Sequence, residues 1–360
     1  MDRFARHPVG YRDNPASAAR PAYGARQRRV LNASAFAEAS ARIAAWPAYA
    51  PTPLRDLRGL AAAAGVGGIL YKDEGSRFGL GSFKALGGAY AVWRLLARMA
   101  AAAGAPAPDA ADARTGRFAG VTVTCATDGN HGRSVAWGAA TFGCRCIIYV
   151  HETVSDGRCA AIAAFGAEIR RVPGTYDDAV RRAAADAATE GWTVVSDTSY
   201  PGYTDIPRDV MQGYAVMADE ALRQSAPDGP PTHVFVQAGV GGLAAAVCGH
   251  YWETLGERRP RFVVVEPDRA ACLFASAAAG RPTAVGGDLD TLMAGLACGE
   301  PSLLAWEILE GGADAFMTVT DAAATDCMRL LADGTGADAP IVAGESAVAG
   351  LAGLLGAAMR

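Results

Sequence analysis

The sequence predicts an α/β protein with mainly parallel sheets, and three observations lead to this prediction. Short runs rich in β-branched residues alternate along the chain with alanine-rich runs of helical length. Such alternation is typical of β–α–β units, in which a helix carries the chain back across the sheet so that the strands lie parallel. A chain of 360 residues can also bury enough apolar surface for two domains. With 51% hydrophobic and 19% charged residues, the composition is that of a folded globular protein.

The predicted strands are short and β-branched, whereas the predicted helices are longer and alanine-rich. Strands are expected at residues 68–72, 120–125, 146–150, 168–172, 193–196, 233–237 and 261–266. Helices are expected at residues 85–96, 132–142, 157–165, 176–190, 209–224, 243–248 and 347–359. Residues 101–117 and 225–231 are rich in chain-breaking residues, which predicts an exposed loop and a passage between lobes. Ligands of such folds bind outside the carboxyl ends of the strands.

Composition and charge argue against several classes of function. The net charge of -4 argues against a nucleic-acid partner and against binding to an anionic membrane surface. No stretch reaches the roughly 20 apolar residues that a membrane span needs. Residues 1–29 contain no continuous apolar segment of a signal peptide, and we expect them to form a partly ordered arm. The eight cysteines form no C-x-x-C pair, which indicates neither a metal site nor a disulfide scaffold and suits a reducing cytoplasm.

Lys84 is the first candidate for a catalytic residue. It lies in the segment Gly-Ser-Phe-Lys-Ala-Leu-Gly-Gly at residues 81–88, where a turn-rich stretch meets a predicted helix. A lysine amine held at such a junction suits the formation of a Schiff base with a carbonyl group. A single lysine is more often a solvated surface residue, so this interpretation depends on the residues at other strand ends.

A glycine-rich segment provides a candidate phosphate site. It follows the predicted strand 233–237, precedes an alanine-rich helix, and consists of Gly239, Val240, Gly241, Gly242 and Leu243. Glycines allow backbone N–H groups to close around a phosphate, and the N-terminus of a helix favours its negative charge. A close strand-to-helix turn that needs small residues is the alternative interpretation. No G-x-x-x-x-G-K-[ST] loop is present, so nucleoside-triphosphate chemistry has no support.

Two further strand ends carry polar side chains. Asp128, Asn130 and His131 follow the predicted strand 120–125, and Asp197 follows the strand 193–196. Asn130 could donate a hydrogen bond to a phenolate oxygen of a bound ring. Asp128 and Asp197 would lie at one edge of the sheet, where two carboxylates suit a cationic substrate and the proton transfers of an elimination. Capping of turns or helices is the alternative interpretation of these residues, and His131 is expected to be packed rather than catalytic.

Together these residues resemble the fold-type II pyridoxal-phosphate enzymes, the tryptophan-synthase-β-like group, and within it the diaminopropionate ammonia-lyase family. The resemblance extends from Trp46 to Ser346. It is carried by the residues 72–74, 77–80, 83–84, 86–90, 127–133, 202–203, 206–207, 211–214, 293–296 and 298–301. The resemblance implies two open, twisted, mainly parallel sheets flanked by helices. It also implies a large cofactor-binding domain of residues 1–90 and 205–360, with a small domain of residues 91–204 inserted in it.

The resemblance further implies a role for each candidate residue. Lys84 would bind pyridoxal 5'-phosphate covalently, Asn130 would bind the ring hydroxyl, and residues 239–243 would bind the phosphate. Asp128 and Asp197 would be the active-site carboxylates. Threonine dehydratases and serine racemases usually have a small residue where Asp128 stands, so Asp128 favours a substrate with a second amino group. The implied protein is a cytoplasmic homodimeric lyase of amino-acid catabolism that converts 2,3-diaminopropionate, as the D or L isomer, to pyruvate and two ammonia.

Several alternatives stay open at this point. One is another fold-type II enzyme, such as a serine or threonine dehydratase or a β-replacing synthase. The other is a cofactor-binding protein without turnover, because no Ser/Thr-Gly-Gly or Ser-Thr-Glu-Gly segment that would contact the pyridine nitrogen follows Ser346. Cys272 and Cys298 occupy positions where cysteine fits the family pattern, which leaves a reversible disulfide and a packed, reduced pair as two interpretations.

Overall fold

The computed structural model describes residues 2–127, 129–226 and 229–360, so the predicted site residue Asp128 lies outside the described residues. The strands are β1 (Val9–Asp13), β2 (Leu54–Asp56), β3 (Leu70–Lys72), β4 (Thr122–Ala126), β5 (Arg145–His151), β6 (Glu168–Val172), β7 (Thr193–Val194), β8 (His233–Gln237), β9 (Arg261–Pro267) and β10 (Ala315–Val319).

The α-helices vary widely in length. They are α1 (Asp2–Arg6), α2 (Ala25–Val30), α3 (Ala33–Ala44), α4 (Arg58–Ala64), α5 (Ala85–Ala102), α6 (Asp112–Thr115), α7 (Asn130–Phe142), α8 (Asp156–Ala163), α9 (Tyr176–Glu190), α10 (Asp205–Ser225), α11 (Gly242–Leu255), α12 (Cys272–Ala279), α13 (Leu303–Gly312), α14 (Asp321–Asp333) and α15 (Ala349–Ala358). Among the residues that the structure describes, no helix is both long enough and apolar enough to span a membrane.

The chain divides into two compact units. The first consists of Met1–Ala33, Pro51–Gly75 and Met217–Arg360, and the second of Ser34–Ala50 and Ser76–Val216. These units differ from the domain division expected from the sequence, because residues 34–50, 76–90 and 205–216 group with the second unit. The cofactor-binding and small domains expected from the sequence stay a prediction, because compactness alone does not show which residues bind a cofactor.

Close helix packing explains why residues 76–90 and 205–216 belong to the second unit. A Cβ atom on Gly88 of α5 would collide with the Ser134 side chain of α7. A Cβ atom on Gly213 of α10 would likewise collide with the Leu86 carbonyl of α5. The backbones of these three helices therefore approach more closely than larger residues would permit.

The sheet of the first unit has the strand order β1-β10-β9-β8. Strands β8, β9 and β10 are parallel, and β1 pairs with β10 in the antiparallel direction. The expectation that residues 1–29 form only a partly ordered arm is wrong, because they contain strand β1. Its sequence, Val-Gly-Tyr-Arg-Asp, is polar because it is an edge strand, and Tyr11 and its neighbours are exposed. A separate antiparallel pair joins β2 to β3.

The sheet of the second unit is entirely parallel, with the strand order β6-β5-β4-β7. Strand β5, one of the two central strands, buries five consecutive residues, Cys146, Ile147, Ile148, Tyr149 and Val150. A continuous apolar run of this kind is typical of a parallel strand that is covered on both faces. Mainly parallel sheets flanked by helices are thus confirmed as the fold class.

Residues 101–117 correct another expectation, because they are not simply an exposed loop. Helix α5 extends to Ala102, beyond the predicted end at residue 96, and the short helix α6 follows. The Trp93 indole N–H donates to the Pro108 carbonyl over 2.9 Å, which ties this segment back to α5. No local sequence pattern predicts this contact, since it depends on how one buried side chain packs.

A buried ion pair joins two separate segments of the first unit. Lys72 Nζ lies 2.8 Å from Glu220 Oε2 and donates to the Thr52 carbonyl over 2.7 Å and to Gln224 Oε1 over 2.9 Å. The Lys72 and Glu220 side chains are only 12% and 6% exposed. The pair therefore holds the segment that contains β2 and β3 against the second half of α10.

We expect Lys72→Met to lower the free energy of unfolding by about 3 kcal/mol, because it leaves the Glu220 carboxylate buried without its cationic partner. The double variant Lys72→Met/Glu220→Leu should recover most of this loss. Urea denaturation followed by circular dichroism provides the measurement.

Arg58→Met is the matched control, because Arg58 pairs with Asp56 at the surface and is 88% exposed. This control should change the unfolding free energy by less than about 1 kcal/mol. An equally small effect of Lys72→Met would contradict the structural role of the buried pair.

Candidate active site

The segment before Lys84 is held firmly within the second unit. Arg77 is 1% exposed, donates from Nη1 to the Ala50 carbonyl over 3.1 Å, and lies over the Tyr49 ring. Phe78 stacks on Trp137 with ring centroids 4.8 Å apart. These contacts give the Arg-Phe-Gly-Leu segment a structural role and fix the path of the chain toward the start of α5.

The carbonyl group of Leu80, three residues after Arg77, makes a second contact that holds this segment. Arg133 of α7 donates from Nη1 to the Leu80 carbonyl over 2.9 Å. Lys84 then stands at the N-cap position of α5 with helical backbone angles. The lysine is therefore fixed at a helix start, as predicted from the sequence.

Lys84 forms an ion pair with Asp197. Lys84 Nζ lies 2.6 Å from Asp197 Oδ2, and the two side chains are 22% and 21% exposed. The interpretation of Lys84 as a solvated surface residue is therefore wrong. The structure brings together two predicted site residues that lie far apart in the sequence.

Asp197 owes its position to the early end of β7. Val195 N–H still donates to the Thr124 carbonyl of β4 over 2.7 Å, and Ser196 N–H then donates to the Tyr203 hydroxyl over 2.9 Å. The same hydroxyl donates to the Val194 carbonyl over 2.9 Å. Tyr203 thus bridges the backbone on both sides of Val195 and presents Asp197 beyond the carboxyl end of the sheet.

The electrostatic environment keeps Asp197 ionised. Burial alone would raise the pKa of its carboxyl group, but the Lys84 ammonium, through its charge and its hydrogen bond, outweighs this effect. The net result is a pKa below the ordinary range of an aspartate. Asp197 is therefore a carboxylate at neutral pH and can stabilise a positive charge next to it.

His131 is buried, as expected, but it also faces the ion pair. Its Nε2 lies 2.8 Å from the Val195 carbonyl, which can only accept, so Nε2 carries a proton. Its Nδ1 lies 3.7 Å from Asp197 Oδ2. Burial is the largest cause that lowers the pKa of His131, and the neutral ring therefore points a lone pair toward the carboxylate.

Asn130 is the first residue of α7 and is exposed. The turn that precedes it is held by Thr127, whose hydroxyl oxygen accepts from Gly129 N–H over 3.0 Å and from Gly132 N–H over 3.1 Å. Gly129 is the N-cap residue and no side chain caps the helix there. Asn130 is thus not needed as a cap, and its contact with a cofactor stays a prediction, as does the role of Asp128.

The glycine segment lies in the first unit, between β8 and the N-terminus of the 14-residue helix α11. Gly241 has φ of 98°, a conformation that favours glycine. A Cβ atom on Gly239 would lie 2.9 Å from Cys298 Sγ and 3.2 Å from Leu296 Cα. A turn at a helix N-terminus that has no room for side chains fits a phosphate bound by backbone N–H groups.

Cys272 and Cys298 both contact this segment and are reduced in the structure. The Cys272 thiol donates to the Gly239 carbonyl over 3.7 Å. Burial raises the pKa of the Cys272 thiol above its ordinary range. The structure thus matches the interpretation of a packed, reduced pair.

The structure also assigns contacts to two tyrosines that sequence reasoning did not single out. Tyr203 supports the backbone before Asp197, and Tyr214 is buried with its ring against Phe83. Both belong to motifs that carried the resemblance, Gly-Tyr at 202–203 and Gly-Tyr at 213–214. The motifs were the available signal, but the positions of the hydroxyl groups follow only from the packing.

The sequence contains two lysines, Lys72 and Lys84. Lys72 is held in its ion pair with Glu220, whereas Lys84 lies at the carboxyl end of the parallel sheet of the second unit. Lys84 is accordingly the residue suited to bind an aldehyde.

Comparisons with known proteins agree with this geometry. A model of the family described as pyridoxal-phosphate dependent enzyme matches residues 45–360. Diaminopropionate ammonia-lyase of Escherichia coli (strain K12) is 43% identical over 312 residues, which cover 84% of this chain and 76% of that protein. The chain belongs to the diaminopropionate ammonia-lyase family of pyridoxal-phosphate-dependent enzymes.

Two further comparisons support membership of this ammonia-lyase family. Diaminopropionate ammonia-lyase of Salmonella typhimurium (strain LT2) is 41% identical over 321 residues, which cover 86% of this chain and 78% of that protein. The crystal structure of the Escherichia coli enzyme in complex with an aminoacrylate-PLP azomethine reaction intermediate superposes with a TM-score of 0.86 at 37% identity. The superposition covers 98% of this chain and 87% of the chain in that crystal structure. The expected family and the expected cofactor, pyridoxal phosphate, are confirmed.

We expect Tyr203→Phe to lower the free energy of unfolding by about 1–3 kcal/mol, because the Val194 carbonyl and the Ser196 N–H both lose their partner. The loss of this bridge should also loosen the backbone that positions Asp197. Urea denaturation measures the first effect, and hydrogen exchange of residues 194–197 measures the second.

Tyr200→Phe is the control, since Tyr200 stacks on Tyr203 but is exposed at the surface. Its effect on unfolding should stay within about 0.5 kcal/mol. Equal stabilities for the two variants would argue against the bridging role of Tyr203.

Proposed function

We propose that this chain catalyses the α,β-elimination of 2,3-diaminopropionate, as the D or L isomer, to pyruvate and two ammonia. The observation that carries the proposal is the Lys84–Asp197 ion pair in a chain 43% identical to a diaminopropionate ammonia-lyase. The pair places an amine beside a carboxylate at a strand end, where substrates of such folds bind.

The residues of the chain fit the cofactor of the family. Lys84 would bind its aldehyde carbon, residues 239–243 would bind its phosphate, and Asn130 would bind its ring hydroxyl. When bound, pyridoxal phosphate supplies a carbonyl that links to amines and a ring that accepts the electron pair left on the substrate. The glycine segment supports this assignment, because it forms a turn without side chains at the N-terminus of α11, where the helix favours an anion.

Lys84 has a second role once the substrate amine has taken its place. The released Lys84 amine carries a lone pair and can remove the proton from Cα of the substrate. Asp197 stabilises the ammonium that results, since its carboxylate stays ionised at neutral pH. Neutral His131 lies beside the carboxylate, with Nδ1 3.7 Å from Asp197 Oδ2, and could accept a proton there.

Two bonds of 2,3-diaminopropionate break in the proposed elimination, and both nitrogen atoms leave as ammonia. The Cα–H bond breaks with transfer of the proton to a base, and the Cβ–N bond breaks as ammonia leaves with its electron pair and takes up a proton. Water then replaces the remaining nitrogen, which yields pyruvate and the second ammonia. Asp128 is proposed as the second base, which would allow both stereoisomers to react.

We further propose that the enzyme acts in the cytoplasm as a homodimer. The eight reduced cysteines suit a reducing compartment. The proposed small-molecule substrate requires no nucleic acid and no membrane.

A panel of amino acids tests the function directly. The cofactor-loaded chain should release pyruvate from 2,3-diaminopropionate at least about tenfold faster, in kcat/KM, than from serine, because Asp128 and Asp197 suit a second ammonium group. Threonine should yield little 2-oxobutyrate. A preference for serine or threonine would instead identify the chain as a dehydratase.

Lys84→Ala is the matched variant for the panel, and it should abolish both pyruvate release and the absorbance band of the lysine-bound cofactor. Reduction with borohydride followed by peptide mass spectrometry should place the cofactor on the peptide that contains Lys84. Label on Lys72, the other lysine of the sequence, would refute the assignment.

We expect Asp197→Asn to lower kcat roughly 100-fold, because the Lys84 ammonium loses its carboxylate. The wild-type carboxylate has a lowered pKa in the folded chain, so it stabilises the fold above the ordinary aspartate pKa of about 3.9. This contribution is lost as the pH falls through the folded pKa. The gap in unfolding free energy between wild type and variant should therefore stay constant above about pH 5 and shrink as the pH falls below about pH 4.

Asp205→Asn serves as the control for the acid series, since Asp205 is exposed and pairs with Arg208 at the surface. It should leave kcat unchanged and unfold with the wild-type pH profile. A constant gap for Asp197→Asn across the acid range would contradict the proposed ionisation of Asp197.

A further inference from the structure

Tyr214 lies at the Lys84–Asp197 pair, and the proposed function gives it no role. Its side chain is on α10 and is 1% exposed. The ring packs edge-on against Phe83, with ring centroids 4.9 Å apart. On α5 it also packs against Gly87, where an added Cβ atom would collide with the ring. The ring is therefore fixed, and its hydroxyl cannot turn away to another position.

The Tyr214 hydroxyl is buried, and it makes no hydrogen bond of ordinary geometry with any residue that the structure describes. Its surroundings are those of the ion pair, since Lys84 Nζ lies 5.9 Å from the centre of the Phe83 ring against which Tyr214 packs. Burial raises the pKa of the phenol, the Lys84 ammonium lowers it through its charge and through a long contact with the phenol oxygen, and the Asp197 carboxylate raises it. The hydroxyl group thus lies beside the reacting amine and is a neutral donor at neutral pH.

Other tyrosines of the second unit show that this arrangement is unusual. The Tyr149 hydroxyl donates to Asp186 and accepts from Arg170 Nη1, the latter over 2.9 Å. The Tyr203 hydroxyl binds two backbone groups. A hydroxyl buried without a hydrogen bond destabilises the folded chain, because its water contacts are lost and not replaced. A phenylalanine would fill the same space as Tyr214 without that cost.

We propose that Tyr214 is a positioning residue, whose hydroxyl binds the Lys84 nitrogen when Lys84 leaves its ion pair to react. The inference rests on the proposed role of Lys84 as the lysine that binds the cofactor. An ammonium donates to the Asp197 carboxylate, but a neutral amine presents a lone pair that a carboxylate cannot satisfy. The phenol O–H can donate to that lone pair, and the proton stays on the phenol oxygen.

This second partner would keep the released amine close to the substrate. Without it, the flexible side chain of Lys84 would sample many rotamers between release and proton removal. Tyr214 therefore acts through Lys84 and touches neither the substrate nor the cofactor in this proposal. The burial of a hydroxyl that lacks a hydrogen bond of ordinary geometry in the resting chain is then explained by a contact with the Lys84 nitrogen that tightens into a hydrogen bond during the reaction.

Tyr214→Phe tests the proposal through two measurements that should move in opposite directions. The urea midpoint should equal or exceed that of the wild type, since an unsatisfied buried hydroxyl is removed. The kcat for pyruvate release should fall about three- to tenfold, which corresponds to the net value of one hydrogen bond, with KM within about twofold. Both are measured on the cofactor-loaded chain, and the midpoint is repeated without cofactor.

Tyr149→Phe is the matched control, because it removes a satisfied hydroxyl from the same unit, away from Lys84. It should lower the urea midpoint and leave kcat unchanged. The inference is overturned if Tyr214→Phe lowers the midpoint as Tyr149→Phe does, or if it leaves kcat at the wild-type value.

A third measurement separates this inference from the proposed function. The rate at which the chain without cofactor binds pyridoxal phosphate covalently, followed by absorbance, should fall about three- to tenfold in Tyr214→Phe. This rate depends on the free Lys84 amine and not on the identity of the substrate. If the wild type releases no pyruvate from diaminopropionate, the proposed function fails while this rate still tests Tyr214. An unchanged rate overturns the inference about Tyr214.

Discussion

The ion pair between Lys84 and Asp197 is the interaction on which the candidate site depends. A lysine amine at a helix start would otherwise extend into solvent, and the 2.6 Å contact holds it at the carboxyl end of the sheet of the second unit. The same contact keeps Asp197 ionised despite its surroundings. Position and charge are thus determined together, because each partner provides the counter-ion that the other needs.

Most of the surrounding architecture serves to bring these two side chains to one place. Arg77, Phe78 and Arg133 fix the segment that leads to Lys84, and Tyr203 fixes the backbone that leads to Asp197. The glycines of α5 and α10 allow helix backbones to approach closely. Several family motifs are therefore structural, because their residues position the candidate catalytic pair of Lys84 and Asp197.

The sequence was sufficient for the fold class, because local patterns determine it, and it singled out Lys84 and Asp197, which the structure pairs. Alternating β-branched and alanine-rich runs identify β6 and β8 with the observed bounds. The start of a predicted helix indicated Lys84, and the rule of strand ends indicated Asp197. Strand β1 was missed because it is a polar edge strand whose pairing with β10 joins the two ends of the chain. The contacts of His131, Tyr203 and Tyr214 were missed because they depend on how helices and turns pack, which no local pattern encodes.

The scarcity of lysine limits the number of side-chain amines to which an aldehyde cofactor can bind. The other 31 cationic side chains are arginines, because the sequence has 33 lysines and arginines of which two are lysines. A guanidinium does not form a stable imine with an aldehyde and keeps its charge at any physiological pH. With Lys72 held by Glu220, the side-chain amines offer an aldehyde little choice but Lys84. The arginines can therefore form surface ion pairs without competing with Lys84 for the aldehyde.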